Sequence, residues 1–222
     1  MGKEFIKIIN IVIEALLDII YPYDNKCIIC GIEGFRGICS RCKSDIKRFQ
    51  EQEEIISYGY YGGVLKKLIL NLKYHKSFIA GEVLADFLCQ IIREKHLSID
   101  YICYVPISKK SLKKRGFNQS ERIASRLSEV VDIPVLDCIE RVKNTKRLYN
   151  MNKINREKEL KNGFSIKENI NLIKNKSIIL IDDIFTTGST VNEISKILKI
   201  NGVNHICVFT LLTTYVDTYA KE

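Results

Sequence analysis

The chain has 222 residues, a formal net charge of +9 and 46% hydrophobic residues. This is enough for one ordinary domain with a small addition and a self-sufficient core, which excludes a disordered polymer and any need for covalent staples. The basic balance favours phosphates or nucleic acid as partners without naming one, and a solvated lysine-rich surface would give the same balance.

The first segment, KEFIKIINIVIEALLDIIYP, keeps Lys3, Lys7, Asn10, Glu14 and Asp18 at intervals of three or four. These residues form one wet stripe on a helix. Neither the apolar core of an export signal nor a membrane span would carry it. The expectation is an amphipathic helix packed on its own protein and ending near Pro22, in a cytoplasmic chain with no transmembrane segment. A helix lying on a membrane surface is the alternative.

Four cysteines come next as CIICGIEGFRGICSRC: Cys27, Cys30, Cys39 and Cys42, two C-x2-C pairs separated by eight residues. Each pair turns two sulfurs toward one point, and Gly31, Gly34 and Gly37 let the backbone fold tightly between them. Four thiolates complete a closed tetrahedral Zn²⁺ site, which is structural because no coordination position stays open. Two disulfides or a redox pair are the competing readings, and both fit poorly in a chain without an export signal. Cys89, Cys103, Cys138 and Cys207 stand among apolar residues and read as small buried hydrophobes. The polar stretch KSDIKRFQEQEE separates the cysteine unit from the rest of the chain, so we place a boundary between 1–54 and 55–222.

From Ile55 onward, strand and helix patterns alternate. IISYGYYGG reads as a strand and a Gly-rich turn, VLKKLILNLKYHK and GEVLADFLCQIIREKH as helices, and DYICYVPI as a buried strand stopped by Pro106. QSERIASRLSEVV reads as a helix capped by Asn118 or Ser120. IPVLDCIER is strand-like, and Arg141–Gly163 is a basic stretch without periodicity. KSIILIDDI is the strongest strand, STVNEISKILKING a helix closed by Gly202, and HICVFTLLTT a final strand. Strands that are apolar throughout and alternate with helices predict an α/β domain with a parallel sheet covered on both faces.

In IILIDDIFTTGST, two carboxylates, Asp182 and Asp183, end the strongest strand, and hydroxyls with a glycine open a helix. Ligands of open α/β sheets bind at the carboxyl ends of strands. Neighbouring strand residues point to opposite faces, so two acids serve one ligand only if the chain is already leaving the strand. The helix N-terminus offers free N–H groups to an anion, with Thr186, Thr187, Ser189 and Thr190 as hydroxyl donors and Gly188 for close approach or positive φ. No lysine of a G-x-x-x-x-G-K-[ST] loop is present, so the geometry suits one phosphate beside a sugar diol.

The segment resembles the PRPP-binding signature of type I phosphoribosyltransferases. In that family the paired acids hold the ribose hydroxyls and the loop cradles the 5-phosphate. The cysteine cluster, LKKLILNLKYHK, YVPISKKSLKKRGFNQSERIA and the acid pair together are similar to the ComF family of competence-associated proteins over nearly the whole chain. The resemblance implies a type I phosphoribosyltransferase-like parallel sheet flanked by helices, with a small N-terminal helical and zinc-binding subdomain. It implies PRPP, or another ribose 5-phosphate ligand, bound with Mg²⁺, and a role in uptake of transforming DNA. Single-stranded DNA and a DNA-uptake helicase or translocase are the further partners it suggests.

By the same resemblance, RGFNQ is the pyrophosphate loop. Arg115 would grip the pyrophosphate, because its fork matches phosphate oxygens. Gly116 would mark a tight turn at a strand's carboxyl end, and Lys73 would lie near the site. Asn118 and Gln119 either orient the ligand or cap the next helix, and the lysines from Lys109 to Lys114 either contact phosphates or face solvent. Residues 140–164 resemble the hood that closes over substrate: Arg156 and Phe164 match, whereas Leu148 and Glu159 depart from the pattern. If the chain turns over, Arg115, Asp182 and Asp183 form the catalytic set, and the enzyme would be a phosphoribosyltransferase in nucleotide or cofactor salvage. Its acceptor is not readable, since Thr186 stands where purine-salvage relatives carry an acid.

Overall fold

The computed structural model describes residues 25–49, 55–143, 153–167 and 170–214. The N-terminal amphipathic segment and Leu148 lie outside the described residues, as does the side chain of Arg156.

In chain order the elements are α1 (Ser40–Ser44), β1 (Ile55–Tyr60), α2 (Gly63–His75), α3 (Phe78–Lys95), β2 (Tyr101–Tyr104), α4 (Lys109–Arg115), α5 (Gln119–Val131), β3 (Ile139–Arg141), α6 (Lys153–Leu160), β4 (Phe164–Ile166), β5 (Ser177–Phe185), α7 (Ser189–Ile200) and β6 (His205–Thr213). Four strands form one parallel sheet in the order β1-β6-β5-β2. Val135 adds a parallel bridge beyond β2 at Ile102.

Every residue of β5 from Ile178 to Ile181 is fully buried. Alternation along the strand splits these residues between two cores. Ile179 and Ile181 face Leu68, Leu72 and Leu84 of α2 and α3 and Ile123 of α5, whereas Ile178 and Leu180 face Val191, Ile194 and Leu198 of α7. The sheet is therefore covered on both faces, as the all-apolar strands require. Helix starts obey the capping rule: Ser77 accepts from the N–H of Ala80, and Asn118 Oδ1 from that of Ser120 at 3.1 Å.

Three regions differ from the sequence reading. RGFNQ does not turn at a strand end. Ser108 caps α4, and Gly116, at φ 85°, terminates it. No residue of α4 is buried, so it carries no apolar period to betray it. IPVLDCIER gives only the short β3, which pairs antiparallel with β4 in a separate two-stranded sheet. Within the stretch read as aperiodic, residues 153–160 form α6, of which Leu160 is buried while Ile154 is 63% exposed. A helix that buries so little apolar surface leaves no repeat in the sequence.

The cysteine unit packs on the main domain. Cys27, Cys39 and Cys42 share a core with Ile56 and Tyr58 of β1 and Leu65 of α2. Phe49 donates its N–H to the carbonyl of Tyr58, and Lys47 accepts from Tyr60, so residues 47–49 run antiparallel along β1. The four scattered cysteines are all buried, and Cys103 and Cys138 bring their sulfurs to 3.5 Å. Among the described residues no helix is long and apolar enough to cross a membrane.

Candidate functional site

The carboxyl ends of β5 and β2 are neighbours, because the two strands pair in parallel and Val105 still donates to the carbonyl of Ile181. A crevice at such strand ends is where open α/β sheets place ligands. Asn118 pins the segment after β2 to this edge by donating from Nδ2 to the Val105 carbonyl at 3.0 Å.

β5 does not release the acids. It stays paired with β6 through Phe185↔Thr213, with Asp182↔Thr210 in register. The chain is still in the strand at the pair, which corrects the expectation that it is already leaving. The alternation slips there, however: Ile184 packs with the α2, α3 and α5 core and Phe185 with the α7 core, the reverse of the order set by Ile178 to Ile181, so adjacency in the strand does not force the two carboxyls onto opposite faces. The carboxyls still interact: the charge of Asp183 pushes on Asp182, whose Oδ1 accepts from the Asp183 N–H at 2.8 Å.

Asp183 is enclosed by groups from elsewhere in the chain. Its Oδ2 pairs with Lys73 Nζ, and the two side chains are only 10% and 12% exposed. Gln119 Nε2 points to the same oxygen at 3.5 Å, while Gln119 Oε1 accepts from Arg115 Nη1 at 2.6 Å. Lys73, Asp183, Gln119 and Arg115 thus form one continuous polar chain. The sequence suggested Lys73 and Arg115 singly and left Gln119 open between a cap and a ligand contact. Asn118 takes the cap, which frees Gln119 to bridge.

The two carboxyls are shifted in opposite directions in this setting. Burial and then the neighbouring Asp183 charge push the Asp182 carboxyl well above the usual carboxylate range. Burial acts the same way on Asp183, but the charge and hydrogen bond of Lys73, aided by Asp182 and Arg115, outweigh it and hold Asp183 low. The enclosure therefore favours the charge on Asp183 and disfavours it on Asp182.

Beyond the acids, Gly188 is the N-cap of α7 and makes no side-chain cap, so it leaves the first N–H groups of the helix without that partner. Gly188 has φ 74°, and a Cβ there would meet the Phe185 ring at 2.9 Å. Glycine is thus required for both its conformation and the close approach of that ring. Thr187 Oγ1 and Ser189 Oγ lie 2.8 Å apart. Asp182, Phe185, Thr186, Gly188, Ser189 and Thr190 line a shallow cleft of about 20 Å³, room for a water-sized group. Arg141 approaches the site from β3: its guanidinium lies 5.6 Å from the Phe164 ring and feels the charges of Asp182 and Glu159. The sequence placed Arg141 only within the hood-like segment, because its distance along the chain from Asp182 hides their proximity.

The four cysteines form a second centre. All four Sγ atoms lie within 4.8 Å of one another. Gly31 and Gly37 adopt positive φ, Gly31 donates to the Cys27 carbonyl, and Cys39 donates to Cys27 Sγ at 3.3 Å. Burial raises the Cys27 thiol, but the N–H groups of Cys30, Cys39 and Ile29 together outweigh it and bring the value to about 6. Burial and the other three sulfurs drive Cys42 up to about 12. Four converging sulfurs of this spacing fit Zn²⁺ at about 2.3 Å per bond. A cavity of about 630 Å³ opens beside them, between Ile29, Ile32 and Val64. It lies away from the acid pair and shares none of its residues.

Residues 111–222 match the phosphoribosyl transferase domain model. With the parallel sheet and the acid-pair loop, this defines the chain as a protein of the type I phosphoribosyltransferase fold. Over 86% of its length the chain is 32% identical to competence protein F of Haemophilus influenzae, covering 84% of that protein. It is 26% identical over 85% of its length to the DNA utilization protein YhgH of Escherichia coli, again covering 84%. Competence protein ComFC of Streptococcus pneumoniae is 28% identical over 68% of this chain and 64% of its own length. The chain belongs to the ComF family of competence proteins.

Proposed function

We propose that the chain binds PRPP with Mg²⁺ at the junction of β5 and α7 and serves the handling of transforming single-stranded DNA. The observation that carries this reading is convergence: an acid pair, an uncapped helix N-terminus and the Lys73–Asp183–Gln119–Arg115 chain meet at adjoining strand ends. In this reading Asp182 and Asp183 hold the ribose hydroxyls, and Thr186–Thr190 receive the 5-phosphate on N–H and hydroxyl donors. Arg115, beside Gly116, reaches the diphosphate. Among the described residues, the four cysteines are the one group of three or more metal-type ligands close enough for an ion. Mg²⁺ would therefore arrive with the diphosphate and draw only on the two carboxylates, the usual arrangement for this ion. Zn²⁺ would be held by Cys27, Cys30, Cys39 and Cys42 and would stabilise the fold. The DNA role is supported by the names of the relatives.

Titration calorimetry with PRPP and Mg²⁺ tests the site. The wild type should bind, and Asp182→Asn/Asp183→Asn should not. Equal binding by both would sink the assignment.

A second reading, turnover as a phosphoribosyltransferase on an unidentified acceptor, is favoured by the domain match itself. Pyrophosphate release from PRPP across a panel of bases and amines would establish it, and a silent panel with intact PRPP binding would leave a binding role.

A further inference from the structure

Beside the proposed sugar-phosphate site lies a surface that shares only Arg115 with it. Tyr74 and Phe78, at the junction of α2 and α3, are 58% and 45% exposed. Arg115 lies over the Tyr74 ring at 5.6 Å, Arg122 lies over Phe78 at 4.7 Å, and Phe117 meets Phe78 edge-on at 5.7 Å. Two elements distant in sequence thus build one ridge of alternating rings and guanidinium groups. Along its side runs α4. Residues 109–122 carry six cations, four of them the lysines of α4, against the single acid Glu121. Lys109, Lys110, Lys113 and Lys114 are exposed and make no ion pair among the described residues.

We propose that this ridge, with the lysine face of α4, is a docking surface for single-stranded DNA. Exposed rings interleaved with guanidinium groups offer stacking faces to unpaired bases, and a row of free lysines tracks the phosphates. A duplex hides its base faces in its own stack, so it would engage only the lysines. An acidic polypeptide would do the same and leave the rings unused. The position adds a consequence. Arg115 belongs to the ridge and, through Gln119, to the acid site, so strand and sugar-phosphate ligand meet at one guanidinium. The choice of DNA rests on the DNA-handling reading, because rings and lysines alone accept RNA as well.

The test is fluorescence anisotropy of the full chain with a labelled oligo(dT) of about 15 nucleotides, run at several salt concentrations. Tyr74→Ala/Phe78→Ala should bind at least about tenfold more weakly, with an unchanged circular dichroism melt. Lys113→Ala/Lys114→Ala should lower the slope of log affinity against log salt by about 1.4. An abasic strand of the same length should bind more weakly than oligo(dT). Unaltered affinity in the aromatic variant, or equal affinity for the abasic strand, overturns the proposal. Tighter binding of oligo(U) than of oligo(dT) overturns the assignment to DNA. PRPP calorimetry on the same wild-type sample separates the two readings. PRPP binding without strand binding removes the ridge and keeps the site, whereas ridge-dependent strand binding without PRPP binding does the reverse.

Discussion

Replacing Lys73 by Met would remove the cation that holds Asp183 ionised while keeping most of the side-chain volume. Both partners are nearly buried, at 12% and 10% exposure. Removing one partner of a buried pair costs about 3–5 kcal/mol, because the other charge is left without compensation. The residual exposure puts this variant near the lower figure, about 3 kcal/mol, or roughly 6–12 °C in Tm for a chain of this size. Gln119 offers little relief, since its contact with Asp183 is already long at 3.5 Å. The pH dependence gives the sharper check. In the wild type Asp183 is held low, so its contribution is present above its unfolded value and is lost as pH falls through the folded one. In the variant burial prevails and the folded value rises above the unfolded one, so acid favours the native state. The deficit relative to wild type should be largest near neutrality and shrink on acidification toward about pH 4. Urea denaturation across this range reads it out, and Lys73→Met/Asp183→Asn should recover most of the loss. A loss under about 0.5 kcal/mol, or one independent of pH, would show that the pair is a surface contact and refute the reasoning.

Asp182 should behave oppositely. Its folded-state value is raised, so the native state holds the proton more tightly than the unfolded chain, and ionisation costs stability as pH rises from the unfolded toward the folded value. Asp182→Asn mimics the protonated form, and its Asn Oδ1 can still accept from the N–H of residue 183. It should melt higher than wild type near neutral pH, match it in acid and fail to bind PRPP in calorimetry. For the cysteine centre, metal analysis should find zinc bound, and Cys42→Ser should lose it. Because Cys27, Cys39 and Cys42 share a core with β1 and α2, hydrogen exchange should accelerate at Leu65, Leu68 and Leu72, not only within residues 27–42.

What the sequence determined by itself was local. Four consecutive apolar residues in β5, the acid pair after them and the glycine that opens α7 are neighbours in the chain, so their order alone states strand, site and helix. The cysteine spacing is equally local, because each C-x2-C pair folds within its own turn. Elements without buried apolar surface escaped: α4 leaves no period to read, and α6 buries Leu160 while exposing Ile154. Only the tertiary structure decided what surrounds the acids. The parallel pairing of β2 with β5 brings Arg115 and Gln119 alongside Asp183, while α2 supplies Lys73. Which acid keeps its charge is set by that enclosure, since the Coulomb term depends on distance through space and not along the chain.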